Sequence, residues 1–593
     1  MANPFLDHQR DDQRRDDHQR RDDDHGDERR IATGPAHRPS WWLGAVGYEV
    51  YVRSFADANG DGVGDLPGLR GRLAHLADLG VDVVWLTPIT PSPQRDHGYD
   101  VADYLGVEPD YGTLEDLRGL LDDAHALQLK VLMDLVPNHT SDHHHWFVDA
   151  CSGRDAEHRD FYVWRDPGPD GGPPNNWVSH FGGPAWTFHA PTGQYYMHLF
   201  LPEQPDLNWA EPRVWDAFDD ILTTWFERGV DGVRIDVAHS LVEDPDFRDN
   251  PLLEQPPPAG GGTGSVFDRF AHIHDLDQPG VVDIYRRWRA IADAYDAVLL
   301  GEVYVLDPGK LQRYVADDAL HSAFAFDAIK VPWDAQAIRT TLAPYVDACG
   351  DRLSWPLSSH DDPHAAERFG GGEVGARRAL AYLTLLCALP GVPFLFQGDE
   401  LGLDDAVLPE TVAEDPIAVR LGVRGRDPQR SPVPWEPGPQ LGFTTGTPWL
   451  PVGSNRSDHH TVAAQRGQPG SPLERTRELL ATRRRLPALT GDAPLEWVVD
   501  EGPVVAVTRD DEVLVALHVG DGEGDAQLVL PAQAELVFAT DPRTLLLDGE
   551  LLLPEDAAAI VALDPAARVE DHSDVHPHDG PGTAANDDEE TDT

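Results

Sequence analysis

An α/β fold of the (β/α)8 barrel (TIM barrel) type, with an inserted subdomain after its third strand and a C-terminal β-sandwich domain, is what this 593-residue sequence predicts. Three observations point there. Eight apolar runs of strand length alternate with amphipathic helical stretches, the pattern of parallel βα units. The third run is followed by a long segment with no helical period, and after the eighth repeat the pattern changes to closely spaced short strands with turn signals.

In chain order, residues 1–38 mix Asp, Arg, His and Gln, and residues 566–593 are acidic and poor in large apolar groups. Neither stretch can bury enough surface to offset the entropy of ordering, so both are expected to be disordered tails. The barrel is expected over 39–137 and 212–486. Its strands read as 47–55, 81–89, 130–137, 230–238, 297–304, 322–328, 353–361 and 392–400. Among the helices, Leu66, Leu69, Leu73 and Leu76 keep one-face spacing, as do Leu114, Leu117, Leu121 and Leu127 in the next. Residues 138–211, rich in Trp, Pro, Gly and His, read as an irregular subdomain over the barrel mouth. Residues 487–565 read as the sandwich.

Composition removes several function classes. With 47 Lys+Arg against 103 Asp+Glu the formal charge is −56, which repels nucleic acid and anionic membrane surfaces in the absence of a basic patch. Only three lysines occur, which suggests a salty cytoplasm or an Arg-favouring genome. Cys151, Cys349 and Cys387 lie in no CxxC or Cys/His cluster, so neither a disulfide framework nor a zinc site is expected. The sequence has no run of 18 apolar residues, and the chain is expected to be soluble and cytoplasmic.

In a (β/α)8 barrel the active site lies at the carboxyl ends of the strands. The third strand ends Asp134-Leu-Val-Pro-Asn138-His139, the fourth holds Arg234-Ile-Asp236, the fifth ends Gly301-Glu302 and the seventh ends His360-Asp361-Asp362. One acidic residue inside an apolar strand fits a structural carboxylate equally well, but Asp236, Glu302 and Asp361 end three different strands. Carboxylates facing one cavity, with an arginine and neutral imidazoles, suit a reaction with a cationic transition state, such as glycoside cleavage. No GxSxG, phosphate loop or HExxH is present.

The ordered segments DLVPNH (134–139), QPDLNW (204–209), GVRIDVAH (232–239), GEVY (301–304), SHDD (359–362) and GVPFLFQGDELG (391–402), preceded by DANGDGVGDL (57–66), identify the resemblance. Over about residues 41–565 the chain resembles the α-amylase superfamily of retaining glycoside hydrolases, in its α-glucosidase and oligo-1,6-glucosidase branch as found in actinobacteria. The resemblance implies that Asp236 is the nucleophile, Glu302 the general acid/base and Asp361 the carboxylate that stabilises the transition state. Arg234, by period two, shares a strand face with Asp236 and is expected to keep it ionised. Glu302 has to carry a proton near neutral pH. His139 and His360 resemble the family's sugar-hydroxyl ligands, Asp96 and Tyr99 the pair that grips the terminal glucose, and Gln204 and Arg426 or Arg430 further ligands in the same pocket. Two positions depart from the family: Ser359 stands where Asn is usual, and His364 where Arg is frequent. Val237 follows the nucleophile, and in this branch Val there goes with cleavage of α-1,6 bonds.

The loop after the first strand offers Asp57, Asn59, Asp61, the carbonyl of Val63 and Asp65. It begins like an EF-hand but has Gly68 where the bidentate Glu would stand. A plain Gly/Asn turn would have the same composition; the resemblance favours a structural Ca2+, with no organic cofactor. The neighbouring His143, His144 and His145 are expected on the surface of the inserted subdomain. The activity expected is exo-acting hydrolysis of α-glucosidic oligosaccharides. Alternatives are a transglycosylase or isomerase on the same scaffold, of trehalose or isomaltulose synthase type, and an inactive relative of transporter subunits. The last carries a membrane span and loses catalytic carboxylates, whereas this chain lacks the first and keeps the second.

Overall fold

The computed structural model describes residues 39–254, 266–499, 501–520 and 524–563. Both expected tails therefore lie outside the described residues, as does part of the Pro/Gly-rich stretch after the fourth barrel strand.

Eight parallel strands close into a barrel: β1 (Gly47–Val50), β2 (Val83–Leu86), β3 (Lys130–Leu135), β4 (Gly232–Ile235), β5 (Val298–Gly301), β6 (Ser322–Phe324), β7 (Leu353–Pro356) and β8 (Val392–Phe396). Each pairs with its sequence neighbour, and β8 pairs with β1. Val83, Trp85, Leu132, Val298, Leu300, Phe324, Val392 and Phe394 form one buried cluster inside the barrel, a packed core of alternate side chains rather than a pore. Gly47 lets this core close, since a Cβ there would stand 2.3 Å from the Phe394 ring.

The helices follow from the leucine periodicity, with local differences. Leu66, Leu69, Leu73 and Leu76 are buried, but they belong to two short helices, Leu66–Arg70 and Leu73–Leu79. The helix Leu114–Ala126 opens on a Thr113/Asp116 capping box and buries Leu117, Leu120, Leu121 and Ala124. Leu114 and Leu127, expected on that face, are exposed at its two ends.

The segment after β3 is more regular than expected. It holds a helix, His145–Ala150, and an antiparallel sheet of Trp164–Arg165, Gln194–Met197 and Trp186–His189 around Trp177, Trp186 and Met197. His144 is not on the surface as expected: it is buried, and its Nδ1 accepts from Trp146 N at 3.2 Å to cap that helix. Burial pushes its imidazole down to about 3. C-terminal to the barrel, a five-stranded and a three-stranded antiparallel sheet share the cluster of Val504, Leu514, Leu551, Leu553 and Val561. No helix among the described residues is long and apolar enough to cross a membrane.

Candidate active site

The carboxyl ends of β3, β4 and β5 converge on one buried guanidinium. Arg234 Nη1 lies 2.6 Å from Asp236 Oδ1 and 3.0 Å from Asp134 Oδ1, while Nη2 lies 2.9 Å from Glu302 Oε2. Its plane sits over Trp85 of β2, 4.7 Å from the ring centre. The period-two expectation for Arg234 and Asp236 thus holds, and a third carboxyl that the sequence left without a role, Asp134, shares the cation. One positive charge faces three buried carboxyls. Burial and the charge of Glu302 push Asp236 up, with Arg234 and a hydrogen bond from it opposing. Burial likewise pushes Asp134 up to about 7. The expectation that Arg234 keeps Asp236 ionised is therefore amended: the cation is divided among three carboxyls, and burial with the charge of Glu302 raises Asp236.

Asp361 sits in the opposite situation. Arg430 Nη2 and Arg426 Nη1 reach its Oδ1 at 2.6 and 2.9 Å. Although burial alone would raise it, the arginines around it, Arg426 and Arg430 first, hold its carboxyl well below the usual range. Arg426 also bonds Asp96 at 3.1 Å and Asp415 at 2.8 Å, and Gln204 Nε2 donates to Asp96 Oδ2 at 3.2 Å. Burial pushes Asp96 up to about 6 against the pull of Arg426 and Arg430.

The aromatic wall is built around His360. Tyr99 and Tyr51 both pack near-parallel to its imidazole, with ring centres 5.5 and 5.8 Å away. The Tyr99 hydroxyl reaches Asp134 Oδ2 at 3.0 Å and His360 Nε2 at 2.9 Å. His139 is buried beside them, its Nε2 3.1 Å from the Tyr99 carbonyl, and burial takes its imidazole down to about 3. A cavity of about 50 Å3 lies between Arg234, Glu302, Tyr304, Ser359, His360 and Asp361. All the sugar-binding residues expected from sequence thus gather at the strand ends. Missed were Glu49, buried in β1 against His360, and Asp415, from a loop with no periodic signal. Glu49 was detectable by the criterion that found the other carboxylates, an acid inside an apolar strand.

Both departures have a structural account. Ser359 Oγ accepts from Asp361 N and Asp362 N, each at 3.2 Å, and so shapes the turn that presents Asp361. His364 is fully buried, with Nδ1 3.0 Å from Asp405 Oδ1 and Nε2 3.2 Å from the Gln397 carbonyl. Two acceptors on two ring nitrogens require both to be protonated, so an imidazolium supplies the cation that Arg would.

The loop of Asp57, Asn59, Asp61, Val63 and Asp65 offers oxygens of the kind Ca2+ takes. In this structure they serve as turn acceptors. Asp57 receives Gly60 N at 2.6 Å and Gly62 N at 2.8 Å, Asn59 receives Asp61 N, Asp61 receives Val63 N, and Asp65 receives Gly68 N at 2.6 Å. Among the described residues no group of three or more His, Cys, Asp or Glu converges to hold a metal ion.

The sequence pattern of the family described as "Alpha amylase, catalytic domain" matches residues 49–492. The "Probable alpha-glucosidase" of Rhizobium meliloti (strain 1021) is 38% identical over 513 residues, 82% of this chain and 91% of its own. The "Oligo-1,6-glucosidase" of Heyndrickxia coagulans is 35% identical over 525 residues, 81% of this chain and 92% of its own. The crystal structure of an alpha-glucosyl transfer enzyme, XgtA, superposes with a TM-score of 0.83 at 37% identity, covering 88% of this chain and 99% of that one.

The His364–Asp405 pair gives stability a pH dependence. Against burial, which lowers it, Asp405 holds the His364 imidazole above its ordinary value, and the same contact lowers Asp405. The imidazole contribution is complete below the unfolded value of about 6.5 and is lost as pH rises through the raised folded value. The carboxylate contribution is present above its unfolded value of about 4 and is lost in acid. Thermal melts should therefore show this stabilisation peaking between those limits. His364→Gln should cost about 3 kcal/mol at pH 6, the low end for breaking a buried pair because Arg424 still bonds Asp405. The difference should shrink in alkali; a pH-independent difference would refute the imidazolium.

Proposed function

Because the chain belongs to the α-amylase family of glycoside hydrolases, we propose that it is a retaining, exo-acting α-glucosidase that removes terminal α-linked glucose from short oligosaccharides. The observation that carries this is the single Arg234 fork holding Asp236 on one nitrogen and Glu302 on the other. Two carboxyls within the span of one guanidinium suit the short spacing of double displacement, about 5–5.5 Å. Asp236 attacks the anomeric carbon while Glu302 gives its proton to the departing oxygen. Glu302 then takes a proton from the water that releases glucose. Asp361, held ionised by Arg426 and Arg430, stabilises the positive charge that develops on the ring. Asp96, Tyr99, His139, Gln204, Arg234, His360 and Arg426 bind the terminal glucosyl unit. The three cysteines, none bonded to another, support a reducing, cytoplasmic location.

The likeness to a glucosyl transfer enzyme supports a second reading, in which a sugar replaces water in the second half-reaction. Product analysis at high maltose separates the two. For the first reading, Asp236→Asn should lower kcat by roughly 10⁴-fold or more while the variant still folds, as far-UV circular dichroism would show, and wild-type enzyme should release α-glucose first. β-Glucose seen by NMR would exclude the double displacement.

Linkage preference rests on Val237. It lies beyond the end of β4 with φ of 36° and donates its N–H to Glu302 Oε2 at 2.9 Å, so its backbone lies against the proposed proton donor. We expect isomaltose to be cleaved alongside maltose, and Val237→Ala to shift preference toward maltose by at most about 1–3 kcal/mol, as methyl-scale pocket changes do. Wild-type enzyme that leaves isomaltose intact would separate Val237 from linkage choice.

The donor set of Asp57, Asn59, Asp61, Val63 and Asp65 supports a structural Ca2+, which would brace the loop behind β1 and take no part in the chemistry. Removing divalent metal with EDTA should lower the melting temperature by about 2 °C or more while kcat below the transition is unchanged. No shift, with no metal found by elemental analysis, would leave the loop as a plain turn.

A further inference from the structure

Glu49 is a buried acid of β1 for which the hydrolytic mechanism has no use. Its residue surface is 2% exposed, yet a carboxyl oxygen is hydrogen-bonded to His360 Nδ1 and lies 3.4 Å from His360 N. The hydrogen bonds on the other side of the imidazole fix where protons sit. Asp134, bonded to Arg234 Nη1 and to Trp85 Nε1 at 3.2 Å, accepts the Tyr99 hydroxyl proton at 3.0 Å. Tyr99 has one proton, so at 2.9 Å its oxygen accepts from His360 Nε2. A neutral imidazole with its proton on Nε2 offers only a lone pair at Nδ1. The remaining partner, Glu49, then has to donate.

We infer that Glu49 is held as the neutral acid and, by donating to His360 Nδ1, acts as a positioning residue that locks His360 in the tautomer whose Nε2–H faces the substrate pocket. This rests on the proposed glucosidase reading and deepens it. Nε2 stands between the Tyr99 hydroxyl and Asp361 Oδ1, at 2.9 and 3.4 Å, where a sugar hydroxyl could accept its hydrogen bond in place of Tyr99. The ionisable groups facing Glu49 are His360, Arg234, Asp361 and Asp134. Burial raises Glu49 well above the ordinary carboxyl range, with Arg234 opposing, and burial takes His360 well below the ordinary imidazole range. Both directions agree with a neutral acid on a neutral imidazole. The near-parallel rings of Tyr51 and Tyr99 pack against the imidazole and bear on its plane, so Glu49 is left to set the proton.

The test compares Glu49→Gln with Glu49→Leu in the full-length enzyme. An amide N–H donates to Nδ1 as the acid does, so Glu49→Gln should keep kcat/KM for p-nitrophenyl α-glucoside close to wild type, with a superimposable pH profile. Leucine offers no donor, and Glu49→Leu should lose about 10–100-fold, as when a buried supporting hydrogen bond is removed. Full activity in Glu49→Leu, or a Glu49→Gln variant as impaired as Glu49→Leu, would overturn the proposal. The second result would mean that an ionised Glu49 serves an imidazolium. An infrared difference spectrum of wild type minus Glu49→Gln decides the protonation state independently of folding in the leucine variant and of any activity. The C=O stretch of a protonated carboxyl is expected, and carboxylate bands in its place would sink the idea. Wild-type enzyme inactive on every α-glucoside would instead refute the glucosidase reading, leaving the infrared result to judge Glu49.

Discussion

Arg234 is the constraint on which the site depends. Its guanidinium bonds Asp134 at the end of β3, Asp236 after β4 and Glu302 after β5, and it lies over Trp85 of β2. Four consecutive strands are thus tied at their carboxyl ends by one buried charge. Burying that charge is costly in isolation, and each carboxyl taken from it would leave an unmatched group in a dry site. The catalytic geometry and the closure of this side of the barrel are therefore the same set of contacts.

The second cluster is balanced differently, and the difference assigns roles. Arg426 and Arg430 together meet Asp361, which stays ionised. Arg234 alone meets three carboxyls, an arrangement that favours holding a proton near Asp134 and Asp236. An enzyme that must offer a proton and stabilise a cation in one pocket needs this asymmetry. It is supplied by the number of arginines per carboxyl: one for Asp134, Asp236 and Glu302, two for Asp361, Asp96 and Asp415.

Most of the barrel was legible because a strand buried on both faces is a continuous apolar run, and eight such runs alternating with helices fit few architectures besides a closed parallel sheet. Strand ends were not. Residues 353–361 look uniformly strand-like, yet β7 stops at Pro356, because the following residues turn to present Ser359 and Asp361. The hairpin of Trp186–His189 and Gln194–Met197 was hidden in an aromatic-dense segment, although APTG between the two strands is a turn signal. The carboxylates proposed as catalytic were legible as acids ending apolar strands. Asp134 and Glu49 carry the same signal, but their partners are set by tertiary packing that spacing does not encode. Asp415 comes from a loop whose position only the fold defines.

Val237 shows how rigidly the two reacting carboxyls are mounted. A β-branched residue at φ of 36° is strained by about 1–3 kcal/mol and persists only where its surroundings over-determine it. Here Glu302 N donates to the Ile235 carbonyl, Ala238 N to the Glu302 carbonyl, and Val237 N to the Glu302 carboxyl, all at 2.9 Å. These bonds extend the β4–β5 ladder past the last regular pair and turn the chain just after Asp236. Asp236 and Glu302, the proposed nucleophile and proton donor, are consequently fixed to each other through these backbone bonds. Residues farther along the segments after β3, β4 and β8 can vary without moving this pair, so in the proposed enzyme substrate choice beyond Val237 is separated from chemistry within one barrel.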